Sequence, residues 1–305
     1  MKRRKRSDVS VAGMSHPGET RTNNEDRFVT VYYDPPRGVR TPVTLVMVAD
    51  GIGGHQAGEV ASSIAAQIIP QTFDRAEMLD YRSLFTAAFE ATSAAIAEHS
   101  DANPESQGLG TTCVAALVFD RALYTAAIGD SRIYFMRNGA LRQISIDHSW
   151  VQEARDKGIL STEEARNHPR RNVLRRYLGA GADATPDFRL RLADDETDEQ
   201  SVTNQGYPLQ PGDRILLCSD GLSDLIDDDS IQSAMQAFAN PQACAEELVR
   251  HAREAGGTDN VTAVILDVGT NRARWVRLLL WAIVGLLVLG GLGAAAIAAA
   301  TLRLF

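Results

Sequence analysis

Apolar residues fall in short, β-branched-rich runs at 43–49, 111–119, 123–128, 132–135, 214–218 and 261–268, and each run predicts a strand. Two connections are very short: Asp120-Arg121-Ala122, and the pair Asn138-Gly139 after Phe135. Links of that length join only antiparallel neighbours. Helical spacing covers 59–69, 81–99, 149–157, 230–238 and 242–255. These stretches interrupt the strands in blocks and do not alternate with them. That predicts an α+β layered domain of antiparallel sheets flanked by helices, and argues against a doubly wound parallel sheet. The acidic stretch 194–200 has no periodicity and reads as a surface loop, and no internal repeat is evident.

The two ends differ from this body. Residues 1–7 form a basic arm, Lys2-Arg3-Arg4-Lys5-Arg6 running into Ser7 without an apolar stretch, so the start is not a secretion signal. It reads as a solvated arm with a weak attraction to anionic membrane surfaces. Residues 278–302 contain no charge, and at 1.5 Å per residue they reach beyond the roughly 30 Å of a bilayer core. They predict a transmembrane helix. Residues 269–277 before it form a basic juxtamembrane linker with Arg272, Arg274 and Arg277, Trp275 and Trp281 mark the entry, and 303–305 are a short tail. The positive-inside bias then places the body in the cytoplasm, as a single-pass protein of the cell (inner) membrane. Gly290, Gly291 and Gly293 beside Ala294 and Ala295 allow close helix contact and hence dimerisation.

The chain has 305 residues, enough that its core needs no disulfide or metal staple. A net charge of −8, from 31 basic and 39 acidic residues, argues against nucleic acid as a partner. Cys113, Cys218 and Cys244 have no paired spacing, which excludes a disulfide scaffold and a zinc site and favours a reducing compartment. Cys244 and Arg250 reproduce the Cys-x5-Arg interval of thiol phosphatases, but Cys-Ala-Glu-Glu-Leu-Val-Arg reads as a helix and lacks the glycine loop that would cradle phosphate.

The chemistry lies in aspartates that close apolar runs and precede Gly, Ser or Asn: Asp50, Asp130, Asp220 and Asp259. Any one alone would be read as a turn residue. Four of them converging would repel one another unless a divalent cation neutralised them, and an all-oxygen donor set favours Mg²⁺ or Mn²⁺ over Zn²⁺. Asp50 opens Asp-Gly-Ile-Gly-Gly-His, which lacks the third glycine of a dinucleotide fingerprint because position 56 is Gln56. Upstream, Arg21-Thr-Asn-Asn-Glu25-Asp26 adds a guanidinium suited to phosphate oxygens and two more carboxylates.

In this order, Arg-x-x-Asn-Glu-Asp, Asp-Gly-x-Gly-Gly-His-x-x-Gly-Glu, Gly-x-Gly-Thr-Thr, Gly-Asp-Ser-Arg, Asp-His-Ser, Ser-Asp-Gly-Leu and Gly-x-x-Asp-Asn-Val-Thr resemble the bacterial metal-dependent (PPM, type 2C) serine/threonine protein phosphatases, over residues 8–268. The resemblance implies a four-layer α-β-β-α sandwich with two Mn²⁺ or Mg²⁺ ions at one end of the sheets. It implies that Asp50 bridges both ions with the Gly51 carbonyl as a further ligand, that Asp220 and Asp259 complete one site, and that Glu25 and Asp26 hold the other through water. Asp130 matches the ligand of a third, weaker ion, and Arg21 the phosphate-binding arginine. Many eukaryotic relatives carry a proton-donating His directly after Asp-Gly, where this chain has Ile52; His55 is the candidate here, with proton donation, loop organisation and packing all open. The segment 147–179 resembles the flap beside the site.

The resulting expectation is hydrolysis of phosphoserine and phosphothreonine in proteins, opposing serine/threonine kinases at the membrane, with phosphorylated proteins as partners. Two alternatives stand beside it: a catalytically weak phosphoprotein-binding module, and a Mg²⁺-dependent phosphohydrolase of small phosphates. The first should have lost a carboxylate among Asp50, Asp220 and Asp259, yet all three are present. No Walker loop supports the second.

Overall fold

The computed structural model describes residues 1–5, 7–53, 57–103, 107–179 and 183–269. In chain order the strands are β1 (Arg3–Arg4), β2 (Val9–His16), β3 (Arg27–Tyr33), β4 (Val43–Ala49), β5 (Gly51–Ile52), β6 (Gly110–Thr111), β7 (Cys113–Phe119), β8 (Ala122–Ile128), β9 (Arg132–Arg137), β10 (Ala140–Gln143), β11 (Tyr207–Pro208), β12 (Arg214–Cys218) and β13 (Val261–Val268). The helices are α1 (Ala57–Arg75), α2 (Tyr81–Ala102), α3 (Trp150–Asp156), α4 (Thr162–Arg166), α5 (Asp198–Thr203), α6 (Asp220–Ser223), α7 (Asp228–Ala237) and α8 (Pro241–Glu254).

Every strand pair is antiparallel, as the short connections require. Asp120 and Arg121 have φ of 48° and 60°, and Asn138 and Gly139 have 52° and 81°. Two successive left-handed residues make the tight hairpin turn whose twist matches that of its strands. One sheet runs β1-β3-β4-β7-β8-β11 and the other β10-β9-β12-β13-β2, with β5 and β6 as a separate small pair.

Alternation along the central strands sets the layers. In β4, Leu45, Met47 and Ala49 pack with Ile69, Phe73, Phe85 and Phe89 of α1 and α2, while Val46 and Val48 face the second sheet. The second sheet repeats the device: Ile215 and Leu217 turn inward to Val46 and Val48, whereas Leu216 and Cys218 turn outward to Ile231, Met235 and Leu248 of α7 and α8. Three apolar seams thus separate four layers, helices, sheet, sheet, helices. Both sheets are covered on each face, so their inner strands are mostly apolar, with a few buried polar positions such as Thr44 and Thr262.

Two expectations change. The stretch 194–200 is not all loop, because Thr197 and Gln200 form a reciprocal capping box that starts α5. The basic start is not a free solvated arm: Arg3 and Arg4 pair with Tyr33 and Tyr32, and Arg3 forms a two-pronged ion pair with Asp74 at 2.8 and 2.7 Å. Asp74 and Asp34 supply the counter-charge that ties it to the sheet edge. Residues 1–268 form one unit and 269–305 a second, of which only Gly269 is described. The expected span 278–302 and His55 lie outside the described residues; among those described, no helix is long and apolar enough to cross a membrane.

Leu217 is fully buried between the sheets, whereas Ile159 is largely exposed. Leu217→Ala is expected to cost about 2–5 kcal/mol, and Ile159→Ala less than about 0.5 kcal/mol. Urea denaturation monitored by far-UV circular dichroism measures both.

Candidate metal centre

Strand register brings the acidic residues to one end of the sheets. The β3–β4 ladder closes with Arg27 opposite Ala49, so Asp26 and Asp50 are the next residues across that pair. Cys113 lies opposite Ile128, which sets Thr112 against Gly129 and places Asp130 just beyond. Cys218 pairs with both Arg132 and Ala263, so Ser219-Asp220 leaves the second sheet where Asp259-Asn260 enters it. Each carboxylate sits where a strand has ended and the backbone is free to turn.

Neutral side chains fix these turns. Asp50 donates its N–H to the Thr112 hydroxyl at 3.1 Å, and its C=O accepts from Thr112 N–H at 2.9 Å and from the Thr111 hydroxyl at 2.8 Å. The Thr112 hydroxyl also meets Ser131 Oγ at 2.7 Å, which links the Asp50 turn to the Asp130 turn. Ser219 Oγ donates to Asp26 Oδ2 at 2.7 Å and accepts from Thr262 N–H at 3.0 Å. Gly51 and Gly58 touch backbone to backbone, and a Cβ on Gly58 would also stand 2.5 Å from Glu25 Oε2. Asn260 is the main clamp. Its Oδ1 accepts from Glu25 N–H at 2.7 Å, while Nδ2 donates to Pro17 O at 3.0 Å and Asn23 O at 2.8 Å, so one buried amide ties the loop carrying Arg21, Glu25 and Asp26 to the Asp259 turn.

The charge balance is unfavourable without a cation. Desolvation, then Asp26 and Asp220, push Asp50 well above the ordinary carboxylate range. Asp130 is raised by desolvation and by Asp220, Asp147 and Asp224, against the pull of Arg132. Asp26 is pushed up to about 7 by desolvation and by Asp220 and Asp259, although hydroxyls of Thr262 and Ser219 favour its charged form. Asp220 is pushed up to about 6, by desolvation and Asp224 first. Of the nearby guanidiniums, Arg132 is gripped by Asp147 at 2.7 Å, and Arg21 pairs with a site acid only at the rim, where its Nη2 lies 2.8 Å from Asp259 Oδ2.

This donor set fits a hard divalent cation. Asp26 Oδ1 is buried with no hydrogen-bond partner, a costly state for a carboxylate oxygen unless it faces positive charge. Among the described residues no group of three or more Asp, Glu, His or Cys side chains is already arranged to hold an ion. Mg²⁺, which sheds water reluctantly, would take further ligands here from backbone carbonyl and water.

The structure thus brings together Asp26, Asp50, Asp130 and Asp220, with Glu25, Gly51, Asp259 and Arg21 at the edge. Sequence reasoning missed Asp224, one helical turn after Asp220, whose carboxyl is raised by desolvation and which faces Arg171 at 3.6 Å; the i, i+4 spacing was its signal. It also missed the positioning roles of Thr112, Ser219 and Asn260. A cleft of about 650 Å³ adjoins the carboxylates, and its lining includes Asp130 and Asp220 together with Arg155, Arg166 and Arg171.

The sequence profile described as Protein phosphatase 2C matches residues 19–255. The serine/threonine protein phosphatase PstP of Mycobacterium tuberculosis is 38% identical over 260 residues, covering 85% of this chain and 45% of PstP. The chain therefore spans about half the length of that relative. The serine/threonine phosphatase stp of Listeria monocytogenes is 32% identical over 227 residues, 73% of this chain and 84% of stp. Among solved structures, a PstP catalytic domain in complex with two manganese ions superposes with a TM-score of 0.69 at 33% identity, covering 85% of this chain and 97% of that one.

Asn260→Asp preserves shape but sets a carboxylate oxygen against the carbonyls of Pro17 and Asn23. It is expected to lower stability by about 1–3 kcal/mol, more than an exposed amide change does. Denaturant midpoints of Asn260→Asp and of Asn167→Asp, an exposed site on the flap, provide the comparison.

Proposed function

The chain belongs to the protein phosphatase 2C family, and we propose that residues 8–268 hydrolyse phosphoserine and phosphothreonine in proteins. The observation that carries the reading is the buried, unpartnered Asp26 Oδ1 within a set of mutually repelling carboxylates. In this reading Asp50 would serve both ions with the Gly51 carbonyl as a further ligand, Asp220 and Asp259 would complete one site, Glu25 and Asp26 would hold the other largely through water, and Asp130 would contribute to a weaker third. Bound Mn²⁺ or Mg²⁺ supplies Lewis acidity toward the phosphoryl oxygens and a water made acidic near neutral pH.

The protein's own groups do the remaining work. Arg21 stands at the rim with a planar set of donors matched to two phosphate oxygens. Thr111 and Thr112 fix the Asp50 backbone, so the carboxylate is already oriented when substrate arrives. Departure of the serine or threonine alkoxide requires a proton, and His55 is the candidate to deliver it. A thiol route has no support: Cys244 is buried within α8, and burial raises its pKa.

The same proposal extends to the tail. Residues 278–302 anchor the protein in the cell membrane as a single pass, with 269–277 as a basic linker and the phosphatase domain in the cytoplasm, where serine/threonine kinases and their substrates are the natural counterparts. The support is the uncharged length of the segment and the arginines before it.

Phosphate release from a phosphothreonine peptide is expected with Mn²⁺ and to be abolished by chelator. Asp50→Asn and Asp220→Asn should each lower turnover by more than about 100-fold, exceeding the 10–100-fold typical of partners behind the ligands, while Cys244→Ser stays near wild type. Near-normal, metal-stimulated turnover in both aspartate variants would sink the assignment.

Removing the residues from Arg274 onward is expected to turn a membrane-bound protein into a soluble one with unchanged peptide turnover. Fractionation and protease protection decide it. A full-length chain found soluble, or a catalytic domain digested from the outer side, contradicts the anchoring.

A further inference from the structure

Asp147-His148-Ser149 lies at the base of the flap, and the reaction outlined above makes no use of its histidine. His148 is nonetheless buried, with both ring nitrogens engaged. Gly129 N–H lies 3.1 Å from Nδ1. A peptide N–H can only donate, so Nδ1 is the bare nitrogen and Nε2 carries the proton, which it donates to Asp187 Oδ2 at 3.0 Å. Arg176 Nη1 is a more distant neighbour of Nε2, at 3.4 Å. Asp187 is itself held by Arg189, with Nε 2.9 Å from Oδ2.

The main chain of His148 completes the grip. Its N–H donates to Gly129 O at 2.8 Å, so both polar backbone atoms of Gly129 are held by this one residue. Its C=O accepts from Arg175 N–H at 2.8 Å, and Trp150 N–H reaches Val173 O at 2.8 Å, where the flap leaves and returns. Gly129 has φ +100°, and a Cβ there would stand 2.5 Å from Thr112, so the turn has no side chain of its own with which to hold its shape. The residue that follows it is Asp130.

We infer that His148 is a positioning residue for Asp130: its ring, through Nδ1, holds the Gly129–Asp130 turn and so sets the affinity of the ion that Asp130 helps to bind. The inference rests on the metal-centre reading above. Such outer partners of ligating groups typically change metal affinity by 10–100-fold.

Two variants of the full chain separate the ring's two contacts. His148→Asn puts an amide oxygen near the place of Nδ1, keeping the acceptor for Gly129 and losing Asp187. His148→Gln puts an amide nitrogen near the place of Nε2, keeping Asp187 and losing Gly129. In calorimetric Mn²⁺ titrations, His148→Gln is expected to weaken the lowest-affinity step by tenfold or more, and to raise the Mn²⁺ needed for half-maximal turnover equally. His148→Asn should stay within about threefold of wild type, whichever variant unfolds at lower denaturant. Equal metal affinity in all three proteins, or a loss in both variants that follows only their stability, overturns the inference. A wild-type chain that neither binds Mn²⁺ nor releases phosphate overturns the metal-centre reading instead, and this inference with it. One observation needs no variant. The ¹⁵N spectrum of histidine-labelled wild type should show one ring in the Nε2–H form whose signals shift during the weakest Mg²⁺ step, and signals unchanged throughout the titration contradict it.

Discussion

Repulsion among carboxylates at the end of two packed sheets is the constraint on which the rest of the structure depends. Asp26, Asp130 and Asp220 each raise the proton affinity of Asp50, Asp220 also raises that of Asp26 and Asp130, and desolvation adds to every one. A fold carries such a cluster only where the backbone leaves the side chains no alternative position. Here the sheets impose it: the ladders close at Arg27–Ala49 and at Cys218–Ala263, and Asp26, Asp50 and Asp220 stand within two residues of those ends. The three apolar seams on either side of those strands supply the rigidity.

Neutral hydrogen bonds then convert repulsion into a defined site. Thr112, Ser219 and Asn260 bear no charge and add none, yet each joins two segments that come together only in the folded protein. Charged partners in their place would have neutralised the acids and removed their affinity for a cation. Arg132 illustrates the difference, because its guanidinium is taken up by Asp147 and only tempers Asp130 and Asp220 from a distance. The separation of roles is consistent with a scaffold tuned to bind positive charge.

Much of this was legible in the sequence, for identifiable reasons. The doubly buried strand β4 is an almost wholly apolar run, with Thr44 as its one polar residue, and was readable to the residue, as were the limits of β12 and β13. β2 was missed because it is an edge strand with Gly13 at its middle and only Val9 fully buried, so neither a run nor a clean alternation marks it. β3 begins with Arg27 and mixes Thr30 with aromatics, which hid it next to the acidic loop. The carboxylates were legible because strand-end aspartates before Gly, Ser or Asn form a repeated local pattern. Asn260 and His148 were not, because their importance lies in partners 235 and 19 residues away. No local pattern carries that information.

The central claim is that these acids form a cation site. The most direct measurement is an anomalous difference map at the manganese absorption edge, from crystals of the chain grown with Mn²⁺. The account predicts at least two strong peaks beside Asp50, one of them on the side of Asp26 Oδ1. A map with no peak among Asp26, Asp50, Asp220 and Asp259 at saturating Mn²⁺, or with manganese bound only elsewhere, would contradict it.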